Sequence, residues 1–268
     1  MPGDLISGYI ARLPEGPEAA RPLYRAGPGR VAGQFYACHL SSVFQPVVAR
    51  NGELIGHAAY VRCRNGEDLS PWNLFSQAAD DEELVQLDRL ARTVHTINYF
   101  NAVGEAQHLF LPVDGRLLRA VPAEHGKTFE RVLASLGLTP RRVVIVLPEW
   151  GALPPGLLAQ AAANYRLRGY RVAIRHRFAD GSAPERDSAW QEMLRYLRPD
   201  IVKLRFASAA LLCAQIAVVH AVGGTVLVTH LETVEDVSAA GEAGTDWRQG
   251  FALGYPAGLD VSPLAAVA

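Results

Sequence analysis

Six basic side chains stand at or near the ends of short apolar runs. Arg62 closes LIGHAAYVR, Arg175 and His176 follow YRVAI, Lys203 and Arg205 lie in DIVKLRF, and His230 closes TVLVTH. A guanidinium presents a planar fork of N–H donors that fits two phosphate oxygens, and an ammonium adds a compact point charge. If the runs are strands whose ends meet, this group would hold a phosphate anion without a metal ion. Whether they meet is a question about the fold.

The apolar runs are VFQPVV (43–48), LIGHAAYVR (54–62), HLFLPV (108–113), RVVIVLP (142–148), YRVAI (170–174), DIVKLRF (200–206) and TVLVTH (225–230). They are rich in Val, Ile and Leu, as buried parallel strands are. Helical segments separate them. In 81–101, Leu84, Leu87, Leu90, Val94 and Ile97 recur at three- and four-residue steps behind an acidic start at 80–83. LLAQAAANYRLRGY and ALLCAQIAVVHAVGG run into glycines that stop a helix, and SAWQEMLRYLRPD ends before Pro199. Strand and helix in alternation predict a parallel sheet covered by helices. A closed barrel and an open doubly wound sheet both fit. No Gly-rich phosphate loop follows the first strand, and GPGR (27–30) reads as loop, so a dinucleotide-binding Rossmann domain is unsupported.

The 268 residues are 49% hydrophobic, with 26 basic against 27 acidic side chains. That length suits one large α/β domain. A net charge of -1 gives no global reason to expect nucleic-acid binding. Cys38, Cys63 and Cys213 lack metal-type spacing and read as small buried apolar residues of a reducing compartment. His57, His95, His108, His125 and His220 have no mutual ligand spacing, and Trp72 and Phe75 read as core. The N-terminus has no secretory signal, and the longest apolar run, near 209–222, is interrupted by Gln215 and His220. The cytoplasm and no membrane contact are expected. Pro- and Gly-rich residues at the start read as an extended arm or linker. The expected division is an arm over 1–40, a compact body over 41–256 and a tail over 257–268.

Eight strings, in order, resemble the EAL-domain family, barrel phosphodiesterases that open cyclic di-GMP. FQPVV (44–48) resembles the family's opening strand, and GHAAYVR (56–62) stands where it has its EAL-L-R motif. LFLPVDGRLL (109–118), GLTPRRVVIVLPEW (137–150), GYRVAIRHRF (169–178) and RPDIVKLR (198–205) are similar to its next four strands. VLVTHLETVED (226–236) and QGFALGYP (249–256) are similar to its last two elements. The resemblance implies a TIM-like (β/α)8 barrel of the EAL type, with working residues at the C-terminal strand ends.

It also implies a pair of divalent cations held by oxygen ligands, and here the positions differ. Ala58, Pro112, Val146, Arg175, His176, Arg205 and Thr229 stand where the family carries its carboxylates and asparagine. Magnesium and manganese prefer such oxygens. At about 5 Å, charges of +1 and +2 repel by several kcal/mol even at an effective dielectric of ~20. The expectation is therefore no metal cofactor and no enzyme activity.

Gln45, Arg62, Lys203, Glu232 and Gln249 stand where matching family residues contact substrate or organise the site. Their plain readings are buried glutamines satisfying backbone, an arginine bridging to a barrel carboxylate, a solvated strand-end lysine and a glutamate that caps a helix. Together with Arg175, His176 and Arg205 they form the candidate ligand-binding set. The implied function is a non-catalytic, metal-independent receptor for cyclic di-GMP in signalling. The alternative is a protein–protein interaction module that no longer binds nucleotide. A regulatory protein partner and a homodimer accompany these readings. A metal-free enzyme using Lys203 with Glu232 or His176 is a third, weaker one.

Overall fold

The computed structural model describes residues 2–18, 21–65, 67–69, 71–104, 106–121, 125–176 and 188–259. The strands are β1 (Leu23–Arg25), β2 (Val31–Phe35), β3 (Cys38–Ala49), β4 (Leu54–Asn65), β5 (Glu67–Leu69), β6 (His108–Pro112), β7 (Val143–Glu149), β8 (Arg171–His176), β9 (Ile201–Arg205), β10 (Thr225–Thr229) and β11 (Trp247–Arg248). The helices are α1 (Pro2–Ala11), α2 (Pro71–Ser76), α3 (Asp81–Phe100), α4 (Gly115–Ala120), α5 (Lys127–Ser135), α6 (Pro155–Leu167), α7 (Ser188–Leu197), α8 (Ala209–His220) and α9 (Val234–Glu242).

The sheet closes. β3, β11, β10, β9, β8, β7, β6 and β4 pair in that order, and β4 pairs back to β3. The expected barrel is present, with one departure from the expected all-parallel sheet: β3 runs antiparallel to both β4 and β11. The cause is local. A tight turn over 50–53 joins β3 to β4, with Gly52 at φ +86 and Glu53 N–H donating to Asn51 Oδ1. The Asn-Gly pair is a hairpin signal. Two strands joined by a short turn must run antiparallel, because a parallel return needs a dozen or more residues.

Residues read as an extended arm are folded. Helix α1 buries Ile6 and Ile10, and β1 and β2 extend the sheet beyond the upper half of β3. The expected boundary at residue 40 therefore falls inside β3. Apolar periodicity is sparse there, yet Tyr24, Val31 and Ala32 are buried. Of the expected tail, 260–268 lie outside the described residues, and so does the side chain of Trp72. Residues 177–178 of the string GYRVAIRHRF also lie outside them.

Alternate residues of the barrel strands face its axis. Val47, Ala58, Phe110, Val144, Val146, Ala173, Ile201 and Leu227 form an apolar interior. Filling by branched and aromatic side chains makes this a packed core, not a pore. At the base, Asp200 Oδ2 accepts from Val172 N–H at 2.8 Å, and Asp246 Oδ2 accepts from Val226 N–H at 2.7 Å. These carboxylates satisfy strand-end donors that no neighbouring strand reaches. Gly56 lets β4 approach β6: a Cβ there would lie 2.0 Å from the His108 carbonyl oxygen.

The outer layer reads as expected. Asp80 caps α3 by accepting from Glu83 N–H at 2.9 Å. Leu84, Leu87, Val94 and Ile97 face inward. Phe75 packs beside the small cluster around Cys38 and Cys63. One expectation fails: Cys213 is exposed, because it lies on the solvent face of α8 between buried Leu212 and Gln215. Among the described residues no helix is long and apolar enough to cross a membrane.

Candidate functional site

The C-terminal ends of the parallel strands surround a cavity of about 560 Å3. The strand period decides what reaches it. On β9, Ile201 lies in the interior core, and Lys203 and Arg205, two and four residues on, line the mouth. On β8, Ala173 is in the core and Arg175 is one step above. Arg175 pairs in register with Lys203, and Arg205 with Thr229. Three cations thus crowd one side of the opening.

Crowding is visible in the proton equilibria. Burial, with Arg175 adding a like charge, pushes Lys203 down to about 8. Burial followed by the charges of Arg205 and Lys203 lowers His230, which Glu232 raises in part. His230 is in the left-handed region at φ 62, uncommon for a side chain of its size. Thr229 Oγ1 donates to the Leu204 carbonyl at 3.1 Å and lies 2.9 Å from His230 Nδ1. A hydroxyl has one proton to give, so His230 Nδ1–H donates to Thr229 and Nε2 keeps its lone pair when the ring is neutral.

On the adjoining side, Ala58, Phe110, Pro112 and Val146 present an apolar wall. Between the two sides lies a polar floor. Gln249 Nε2 donates to Gln45 Oε1 at 2.9 Å and to the Tyr60 hydroxyl at 3.1 Å, and Gln45 Nε2 donates to the Gly254 carbonyl at 3.0 Å. Gln249 is 2% exposed, and its Oε1 has no hydrogen-bond partner. A buried amide oxygen without a donor is costly unless something supplies one. Gly250 holds Gln249 in place, since a Cβ there would lie 2.0 Å from the Leu231 carbonyl oxygen.

Of the eight candidate residues, seven line the mouth: Gln45, Arg175, His176, Lys203, Arg205, Glu232 and Gln249. Arg62 is not among the lining residues; it is exposed on the part of β4 that projects past the rim, opposite Ser41. His176 reaches the edge of the cavity while its ring stacks on Trp190 of α7, centroids 4.1 Å apart. The plain reading of Glu232 as a helix cap does not hold: Thr233 and Asp236 form the capping box of α9. Gln45 does satisfy a backbone carbonyl, and Gln249 bonds side chains instead.

Sequence reasoning misses Glu149, which also lines the mouth. Val144 and Val146 face inward, so alternation would send residue 149 outward. The β7–β8 register shifts between Leu147 and Glu149, pairing Glu149 with Arg175. A bulge of this kind re-aims the next side chain. The signal is Pro148, which has no N–H for the ladder. Phe251 is the other omission: it lines the mouth and stacks on Tyr255 at 4.7 Å.

A family model described as the EAL domain matches residues 30–256, so the chain belongs to the EAL domain family. In structure it is similar to the Bacillus subtilis YkuI protein, with an EAL domain, in complex with substrate c-di-GMP and calcium. The TM-score is 0.67 at 18% identity, over 83% of this chain and 56% of that one. The chain thus spans little more than half the length of YkuI. It is similar to PaMucR phosphodiesterase in its c-di-GMP complex (TM-score 0.66, 18% identity, 81% and 92% of the two chains). A third likeness is to a standalone versatile EAL protein from Vibrio cholerae O395 in its c-di-GMP-bound form (TM-score 0.64, 16% identity, 79% and 90%). A comparison with curated proteins gave no match.

These findings correct the expectation that the chain is not an enzyme. It belongs to a family whose solved members include a phosphodiesterase. Reasoning from substituted positions also left out Glu149, a carboxylate that the bulge turns into the mouth. Among the described residues no group of three or more His, Cys, Asp or Glu is placed to hold a metal ion. The carboxylates at the mouth are Glu149 and Glu232, and they share it with Arg175, Lys203 and Arg205.

Proposed function

We propose that this EAL-domain chain binds a cyclic dinucleotide, cyclic di-GMP in the first instance, at the barrel mouth, and that its own cations hold the phosphates. The observation that carries this reading is the division of the mouth. Arg175, Lys203 and Arg205 share one cavity with Ala58, Pro112 and Val146. A cyclic dinucleotide has the matching division, with anionic phosphodiesters and flat apolar base faces. Guanidinium groups bind phosphate oxygens by charge-assisted hydrogen bonds and need no bridging ion. The cavity size falls within the range of small-molecule sites. Gln249 Oε1 offers an acceptor for a ligand hydroxyl or base N–H, and Phe251 supplies an aromatic face at the rim.

Three cations in the cavity support this reading over a protein-interaction module, which needs no anion pocket. A regulatory role in signalling, with a protein partner or a second copy reading the bound state, is part of the proposal. Titration calorimetry with cyclic di-GMP in excess chelator tests it. Saturable heat in the micromolar range is expected, and no heat at high micromolar ligand overturns it. The same samples with magnesium or manganese, assayed for the linear dinucleotide, measure turnover independently of binding.

A further inference from the structure

A second cavity lies on the outside of the barrel, between α3, α4, α5 and α6. It holds about 100 Å3 and is walled by Asp88, Arg92, Val121, Thr128, Phe129 and Tyr165. Arg92 is 5% exposed. Its Nε lies 2.8 Å from Asp88 Oδ2, and its guanidinium lies 5.8 Å from the Phe129 ring centroid, with the Tyr165 phenol beside it. Its Nη2 is buried and makes no hydrogen bond of good geometry, with the Tyr165 hydroxyl the nearest side-chain group able to share it. A guanidinium cannot shed its proton, so that donor stays in place and poorly paired.

Helix α5 starts at the same cavity. Its N-cap is Gly126, at φ +84, and among the described residues no side chain caps the helix. The first N–H groups of a helix lack intrahelical acceptors and carry partial positive charge. Arg89 also lines the cavity, so two guanidinium groups face the single carboxylate of Asp88. His125 adds no charge requirement: Nε2 faces the Leu118 carbonyl at 3.2 Å and Nδ1 faces Asn164 Nδ2 at 3.4 Å, the pattern of a neutral ring.

Among the described residues lining it, the unmet groups are donors, and the space fits only a few heavy atoms. We infer that this cavity binds a small carboxylate, with Arg92 Nη2 and the first turn of α5 as its donors. Asp88 holds the guanidinium in place, and Phe129 covers one face. The site is separate from the barrel mouth and does not depend on the reading given for it.

The probes are acetate and formate, titrated into the full chain against matched chloride. The readout is the Arg92 side-chain N–H resonance, with melting temperature in parallel. A saturable shift is expected in the millimolar range. Val121→Phe, which fills the cavity without touching Arg92, is expected to weaken binding at least about tenfold. Arg175→Ala, at the barrel mouth, is expected to leave it unchanged. No acetate- or formate-dependent shift beyond that of chloride overturns the inference. So does a shift that Val121→Phe leaves intact or that Arg175→Ala abolishes.

Discussion

The two halves of the barrel mouth have the same backbone and opposite chemistry. On β4, β6 and β7 the lining is mostly apolar, with Ala58, Phe110, Pro112 and Val146 and, past the bulge, Glu149; on β8 and β9 it carries Arg175, Lys203 and Arg205. One step below, both halves are alike, with Val144, Ala173 and Ile201 closing an apolar core. The strand period separates the two tasks. Lower residues hold the barrel shut, and the residues two positions on decide what it receives. A change in one layer should therefore leave the other layer's property largely intact, and each substitution below probes that separation.

The largest effect belongs to the core. Ile201→Ala should cost ~2–5 kcal/mol in urea unfolding, from lost transfer and a residual cavity. The affinity of the folded protein for cyclic di-GMP should change little. A large affinity loss at full folding would show that core and mouth are not separable.

Next comes the cationic half. Arg175→Ala and Arg205→Ala each remove a charge-assisted contact of ~1.5–3 kcal/mol, and the double variant should bind at least about 100-fold more weakly. Unfolding midpoints should barely move. Rising salt should weaken the unaltered protein in the same direction, because the contacts are ionic and partly solvated.

Lys203 spans both layers and should show a trade. Its folded pKa lies near 8, below the usual lysine value, so the folded state pays to keep it charged at neutral pH. That cost is present in full below pH 8 and is relieved as pH climbs toward the unfolded value. Lys203→Met should therefore stabilise the fold at pH 7, by ~1–3 kcal/mol, while weakening cyclic di-GMP binding. A bound anion raises the lysine pKa, so affinity in the unaltered protein should fall as pH rises through about 8. A stabilised variant with unchanged affinity would take Lys203 out of the site.

The smallest effect is at His230. Burial and two neighbouring cations hold it below the usual histidine range. An anion that offsets those cations raises its pKa, so binding should take up part of a proton and strengthen modestly below pH 6.5. His230→Gln should flatten that acidic limb and leave binding at pH 8 unchanged, as pH-dependent calorimetry would show.

Much of the fold is legible because it rests on long apolar runs. Seven of the barrel strands coincide with VIL-rich strings, and α3 begins at the acidic start. The eighth barrel strand, β11, is two residues long, too short for any periodicity. The direction of β3 is written in Asn51-Gly52 rather than in its apolar pattern. The N-terminal segment hides because its few buried residues are spread over one helix and two short strands. At the site, simple alternation places Arg175, Lys203 and Arg205 correctly. It fails at Glu149, where a bulge breaks the period, and at Arg62, where β4 outruns the barrel.

The carboxylates of Asp200 and Asp246 pin strand starts at the base of the barrel, where Arg166 and His220 lie against them. At the other end Arg175, Lys203 and Arg205 share the open mouth. A net charge of -1 gives no hint of this local positive group. An approaching anion feels it from about a Debye length away, so rising salt should slow association as well as loosen the finished complex.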